Sequence, residues 1–373
     1  MTEAAGSATT ENVPVPGVTI SAEPGGDVVG VKAGPVGEWF AANIAGAASP
    51  LSFELLAGGH SNLTYRVTDR NGATYVLRRP PTGAVLATAH DMAREHKIIT
   101  GVGRTSVPVP AALGLCTEIE VNDAPFYVMS YVEGVVLDEG EKVNLSFPDH
   151  ADRQTIGTSV VEVMAALHNA EPDDCGLGDL GRREAYLERQ VKRWRTQWEN
   201  SKTRELPAME TVAEALAANI PPQIGSGIVH GDYRLGNMLI GMEGGSRAIV
   251  TAVLDWELCT LGDVLADVGY VMNNWVQPGE PPITSRGAAL PPTEVGGFCT
   301  REEFLARYEE LTGRDTSNVG YYRAFQYWRL AAIVEGVMAR YLKGAMGVEA
   351  DTDAFKEQIE NLSQAALDLI NQW

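Results

Sequence analysis

The chain has 373 residues, enough for two domains or one two-lobed unit. Its 45% hydrophobic and 21% charged residues are the proportions of a globular protein, and no apolar run approaches the ~18 residues that a bilayer span needs. A formal net charge of −20 argues against nucleic acid or anionic membrane as a partner and is compatible with cationic ligands.

The four cysteines, Cys116, Cys175, Cys259 and Cys299, are scattered without a C-x-x-C pair, which speaks against a zinc site. With no basic stretch leading into an apolar one at the N-terminus, a cytoplasmic protein is expected.

Residues 1–35 are rich in Gly, Ala, Pro, Thr and Glu, lack periodicity, and read as a mostly disordered tail. A short helix is predicted over 36–44, with Trp39, Phe40 and Ile44 on one face. A β-rich region follows. An apolar stretch over 53–56 runs into Gly58-Gly59-His60-Ser61-Asn62, and strands are predicted over 63–68 and 74–79 around the hairpin signal Asn71-Gly72. A strand, a Gly-rich loop and a strand can lay backbone N–H groups over phosphates, because Gly58 and Gly59 allow close approach. Ser61 and Asn62 would add side-chain donors, and an ordinary hairpin has the same pattern.

A helix is predicted over 89–99, carrying Glu95, before the helix-blocking run Val107-Pro108-Val109-Pro110. Strands are predicted over 111–116 and 126–130. After a polar segment over 140–150, Ile156, Val160, Val163, Met164 and Leu167 mark one apolar helix stripe. The stripe ends at His168, read as a structural histidine. Helices are predicted over 182–201 and 208–220, the latter stopped by Pro221-Pro222. Residues 277–298 are rich in Pro and Gly, with Arg286 their only basic residue, and read either as a mobile lid over the acceptor or as a surface insertion. Helices over 301–311, 321–341 and 354–370 complete the chain, the middle one aromatic on several sides and so a buried spine.

Between the two helical regions lie the residues that carry chemistry. His230-Gly231-Asp232 is followed by Asn237, and an apolar strand over 248–254 ends in Asp255-Trp256-Glu257. One carboxylate to meet a hydroxyl proton, with an amide oxygen and a second carboxylate to hold Mg²⁺ against a triphosphate, is the set that phosphoryl transfer needs. The D-x-x-x-x-N spacing is that of a kinase catalytic loop.

His-Gly-Asp with Leu-Asp-Trp-Glu resembles the aminoglycoside phosphotransferase family, a small-molecule branch of the kinase-like fold. The run Val76-Leu77-Arg78-Arg79-Pro80-Pro81 is similar to the branch related to the kinase-like domains of acyl-CoA dehydrogenase fusions. The resemblance implies a two-lobed α+β fold: an antiparallel-sheet N-lobe over 36–130 that binds nucleotide, and a mainly helical C-lobe over 131–373 that is catalytic and binds substrate. It implies Asp232 as the base or hydroxyl-orienting group, and Asn237 and Asp255 as Mg²⁺ ligands. It places Gly58, Gly59, Ser61 and Asn62 over ATP (or GTP), and Ser130 and Val132 at a hinge where backbone groups meet the base. Arg78 stands where the family carries a phosphate-binding Lys, paired with Glu95. Asp267, with Asp263 second, is the acid expected to brace the catalytic loop.

The activity implied is transfer of the γ-phosphate to a hydroxyl of a small molecule, a metabolite ahead of an antibiotic. The absent Lys leaves a regulatory nucleotide-binding pseudokinase as an alternative, and the carboxylates alone leave a metal-dependent phosphohydrolase. Neither D-F-G nor A-P-E occurs, which disfavours a protein kinase.

Overall fold

The computed structural model describes residues 23–57, 62–82, 91–280, 283, 289–344 and 351–373. The chain divides into two compact units, one comprising residues up to 100 together with 110–131, the other 101–109 together with 132–373.

The first unit opens with α1 (Ala33–Asn43), followed by β1 (Ser52–Ala57), β2 (Leu63–Thr68), β3 (Thr74–Arg79), α2 (Met92–Val102), β4 (Ala112–Cys116), α3 (Ile119–Asn122) and β5 (Phe126–Ser130). Its sheet has five strands in the order β1-β2-β3-β5-β4, every pair antiparallel. Period-two alternation puts Phe53, Tyr65, Val67, Leu77, Phe126 and Val128 into one core with Trp39 and Phe40 of α1. Trp39 meets Phe126 edge-on with ring centroids 4.9 Å apart. Burial of each such side chain contributes about 1.5–3 kcal/mol, which sets the strand register. The β2–β3 turn is held by Asp69, whose Oδ1 accepts from the amides of Asn71 and Ala73 at 2.8 and 2.9 Å. Only Gly72 within that turn has positive φ (+84°).

Ordered structure starts earlier than composition predicts. Val31 and Ala33 are buried, and the start of α1 is pinned by Lys32 N donating to Asn122 Oδ1 (2.9 Å) and Ala33 N to Asp27 Oδ1 (2.7 Å). Tertiary bonds, invisible in composition, order residues 27–35; residues 1–22 lie outside those described.

The second unit contains α4 (Gly140–Ser146), α5 (His150–Asn169), α6 (Tyr186–Ser201), α7 (Pro207–Ala218), the strands β6 (Gly227–Val229), β7 (Met238–Glu243), β8 (Arg247–Val253) and β9 (Thr260–Gly262), then α8 (Leu265–Asn274), α9 (Arg301–Thr312), α10 (Val319–Leu342) and α11 (Thr352–Ile370). β6 pairs with β9 and β7 with β8, both antiparallel. Three elements of this unit escaped the sequence reading. α4 was hidden by its polar composition. β9 is only three residues long. α8, buried along most of its length, was read for its acids and not as a helix.

α10 is the buried spine, with Tyr322, Phe325, Trp328, Ala331 and Met338 inside. It fixes α8. A Cβ on Gly269 would lie 2.5 Å from Tyr322 Cβ, so only glycine allows this approach. Tyr322 OH donates to Asp263 Oδ2 (2.6 Å) and Gln326 Nε2 to Ala266 O (2.8 Å). Burial pushes the Asp263 carboxyl above its ordinary range, consistent with a structural role. No helix among the described residues is long and apolar enough to cross a membrane.

Candidate active site

β6 delivers His230 and Gly231 to a loop that is held from below by Asp267. That buried carboxylate accepts from His230 N (2.6 Å) and Gly231 N (2.8 Å). Of the two acids expected to brace the loop, Asp267 is the one that does so. Gly231 has φ +87°, and a Cβ there would lie 2.9 Å from the Leu258 carbonyl oxygen. His168 is fully buried with Nδ1 2.8 Å from Tyr308 OH and Nε2 3.4 Å from Asp267 Oδ2. Burial lowers its pKa despite the acid, so a neutral ring with the proton on Nε2 satisfies both contacts. Its acidic neighbour comes from 99 residues away, which local sequence cannot show.

Leu254 sews the two catalytic segments together. Its carbonyl accepts from His230 Nε2 (2.9 Å), and its amide donates to Asn237 O (2.8 Å). His230 Nδ1 in turn accepts from Asp232 N (3.2 Å), which fixes the His230 tautomer. The residue after Leu254 is Asp255, half-buried and left-handed at φ 62°, ψ 67°. Aspartate is among the few side chains that tolerate this backbone. The register Met238↔Val253 therefore sets Asn237 and Asp255 at the same end of the β7–β8 hairpin.

Asp232 is held on both carboxylate oxygens. Asn237 Nδ2 donates to Oδ2 (2.7 Å) and to the Asp232 main-chain oxygen (2.9 Å). Arg234 Nε lies 3.3 Å from Oδ1, and Tyr270 OH donates to the same oxygen. Burial and the charge of Asp232 push the Tyr270 phenol well up, which keeps it a donor. With its amide nitrogen committed to Asp232, Asn237 has Oδ1 as the atom to offer a cation. Asn237 Oδ1 and the Asp255 carboxylate are hard oxygen donors of the kind Mg²⁺ takes. Among the described residues no three His, Cys, Asp or Glu side chains form a metal-holding group. An ion held by Asn237 and Asp255 would complete its shell with phosphate and water.

The first unit carries its own polar cluster. Glu95 on α2 is buried and forms an ion pair with Arg78 Nε of β3 at 3.0 Å. It also accepts from Asn62 Nδ2 (2.9 Å) and Tyr127 OH (3.1 Å). The expected Arg78–Glu95 pair is present, while the Asn62 amide is directed to Glu95. At Ser130, the amide donates to Ala111 O and Oγ accepts from Ala111 N, each at 2.9 Å. Val132 is half-buried at the start of the second unit's longer segment. Gly58, Gly59 and Ser61 lie outside the described residues, as does Arg286.

Within the second unit, a cavity of about 420 Å³ is lined by Arg234, Tyr270, Glu280, Arg301, Arg323 and Tyr327, among others. Arg301 is tied to Glu280, with Nη2–Oε2 at 2.6 Å. Arg323 donates to Asn273 Oδ1 (3.0 Å), and among the described residues it has no carboxylate within ion-pair distance. The described parts of the 277–298 stretch are anchored and form cavity wall. Glu280 meets Arg301, Thr293 Oγ1 donates to Val276 O (2.8 Å), and Gly140 N donates to Leu290 O (2.8 Å).

Sequence reasoning missed Tyr270, Arg234 and the cavity arginines. One signal was legible: Asp267 and Tyr270 are three residues apart, hence on one face of a helix.

A β-sheet unit with a buried Arg–Glu pair and a mainly helical unit with the His-x-Asp loop define a kinase-like phosphotransferase fold. The sequence profile of the phosphotransferase enzyme family matches residues 52–343, and the chain belongs to that family. It is 36% identical over 289 residues to mouse (Mus musculus) acyl-CoA dehydrogenase family member 10, an alignment covering 77% of this chain but 26% of that protein. The chain thus spans about a quarter of that relative's length. A solved structure from Ralstonia eutropha JMP134, assigned to the aminoglycoside phosphotransferases, is 32% identical with TM-score 0.76, covering 91% of this chain and 98% of that one. An amicoumacin kinase in complex with AMP-PNP and Ca²⁺ shares the fold at TM-score 0.54 and 15% identity, covering 90% and 92%.

Proposed function

We propose that the chain transfers the γ-phosphate of ATP, with GTP as the alternative donor, to a hydroxyl of a small molecule in a Mg²⁺-dependent reaction. The observation that carries this reading is Asp232, a carboxylate gripped by Asn237, Arg234 and Tyr270, with Arg234 and Tyr270 also lining a ligand-sized cavity. Asp232 orients the acceptor hydroxyl and takes its proton. Asn237 keeps Oδ2 engaged, which fixes the direction in which Oδ1 acts. Arg78, held in place by Glu95, contacts the nucleotide phosphates. Asn237 and Asp255 would hold Mg²⁺, which neutralises phosphate charge. The nucleotide-bound state of the amicoumacin kinase supports a nucleotide as donor.

A metabolite is favoured over an antibiotic by the charge of the cavity wall. Net charge −20 belongs to the whole surface, whereas the cavity carries Arg234, Arg301 and Arg323 against Asp138 and Glu280. Arg323 has no carboxylate within ion-pair distance among the described residues, and burial and Arg301 lower its pKa against the opposing pull of Tyr327 and Glu280. An anionic acceptor relieves that repulsion; a polycationic aminoglycoside adds to it. The kinship with acyl-CoA dehydrogenase family member 10 makes a hydroxylated acyl compound one candidate. ADP release with ATP and Mg²⁺ across anionic hydroxylated metabolites, acyl-CoAs and aminoglycosides tests this. Stimulation by an anionic acceptor is expected, and stimulation by aminoglycosides alone would reverse the assignment.

Two further outcomes are expected. Mg²⁺ by itself will leave the thermal midpoint unchanged, because the protein offers too few ligands. ATP with Mg²⁺ will raise it more than ATP with EDTA, and Asp255→Ala will remove the difference. Arg78→Lys, which keeps the charge and loses the planar fork, will weaken ATP binding on the order of tenfold; calorimetry showing an unchanged Kd would separate Arg78 from the phosphates.

A further inference from the structure

Resting on the phosphotransferase reading, the contacts of Tyr270 carry a second inference about the same carboxylate. The Tyr270 hydroxyl donates to Asp232 Oδ1, and Tyr270 lines the cavity. The other oxygen, Oδ2, is occupied by Asn237 Nδ2 at 2.7 Å. A hydroxyl donating to Asp232 from the cavity wall is the arrangement an acceptor alcohol must adopt for Asp232 to take its proton.

We propose that Tyr270 is a positioning residue that occupies the acceptor's place at Asp232, excluding water from Oδ1 until an acceptor hydroxyl displaces it. Without the Tyr270 hydroxyl, Oδ1 keeps only Arg234 Nε at 3.3 Å and would take a water in the freed direction, since a carboxylate oxygen accepts more than one hydrogen bond. That water would then stand where the acceptor oxygen should. In the resulting side reaction the water oxygen bonds to the γ-phosphorus and the bond to the bridging oxygen of the nucleotide breaks. The proton passes to Asp232, and ADP and inorganic phosphate leave. Exclusion of water is the usual protection against such loss. The place of α8 in the fold makes the arrangement durable, because Gly269 and Gln326 lock this helix to α10.

The test uses the full-length protein with ATP and Mg²⁺ and no acceptor, following phosphate release. Tyr270→Phe keeps the ring and removes the hydroxyl, so the packing of α8 is retained. Release should rise on the order of tenfold, the worth of one hydrogen bond to a charged group. It should fall back in the double variant Tyr270→Phe/Asp232→Asn, with the Kd for ATP unchanged throughout. A residue that merely supported the fold would lower activity and could not raise it. No rise, or a rise that persists in the double variant, overturns the inference while ATP binding and the phosphotransferase reading stand. Absence of ATP binding in the wild type would sink both.

Discussion

Asp232→Asn is expected to lower acceptor-dependent turnover by about 10²–10⁴-fold, the usual worth of a positioned general base. The amide is nearly isosteric, so the loop should persist. Its oxygen can still accept from Asn237 Nδ2, as Oδ2 does now at 2.7 Å. Its nitrogen then meets Tyr270 OH and Arg234 Nε, two groups that now donate to Oδ1. The hydroxyl can turn and accept; the guanidinium cannot. The result is a site of almost unchanged shape with no group to take the acceptor proton. ATP affinity, assigned to Arg78 and the metal ligands, should be unaltered. Steady-state kinetics beside calorimetry make the separation. Turnover equal to wild type would remove Asp232 from the mechanism.

Asp267→Ala is expected to cost both stability and activity. It leaves the amides of His230 and Gly231 without their acceptor, along with the His168 contact. Each buried donor left unpaired costs about 1–3 kcal/mol. The total is a large share of the ~5–15 kcal/mol that holds a domain folded. Asp267→Asn is the informative companion. It keeps one acceptor but turns an N–H toward a backbone N–H, so it should lower the thermal midpoint and still fold. Its turnover should fall as well, since the loop that carries Asp232 loses one of its two anchors. An Asp267→Asn protein with wild-type midpoint and kinetics would show that the loop holds itself.

The parts of this fold that were legible in sequence are those stabilised locally. β2 and β3 were readable to the residue because alternation and Asn71-Gly72 act within a few positions. The spacing from Asp232 to Asn237 was readable because the contact it makes is equally local, spanning five residues. The pairing of Arg78 with Glu95 was legible only through resemblance to a family whose third strand and next helix carry such a pair. What stayed hidden was assembled by tertiary packing. Tyr270 reaches Asp232 across 38 residues, and Arg301 meets Glu280 across 21. The 277–298 stretch has no periodicity, yet its described residues are fixed by side-chain bonds whose partners lie on other elements. Net charge says little about the cavity for the same reason: it sums a surface, while the cavity draws its arginines from distant positions.

In the proposed reaction Asp232 directs the γ-phosphate to a hydroxyl bound by the second unit. Phosphorus NMR of the wild type with ATP, Mg²⁺ and each of a series of hydroxylated anionic metabolites tests it most directly. The predicted result is a phosphate monoester signal that appears together with ADP for at least one acceptor and is lost in Asp232→Asn. Release of inorganic phosphate from monoesters without ATP, or monoester formation undiminished in Asp232→Asn, would contradict it.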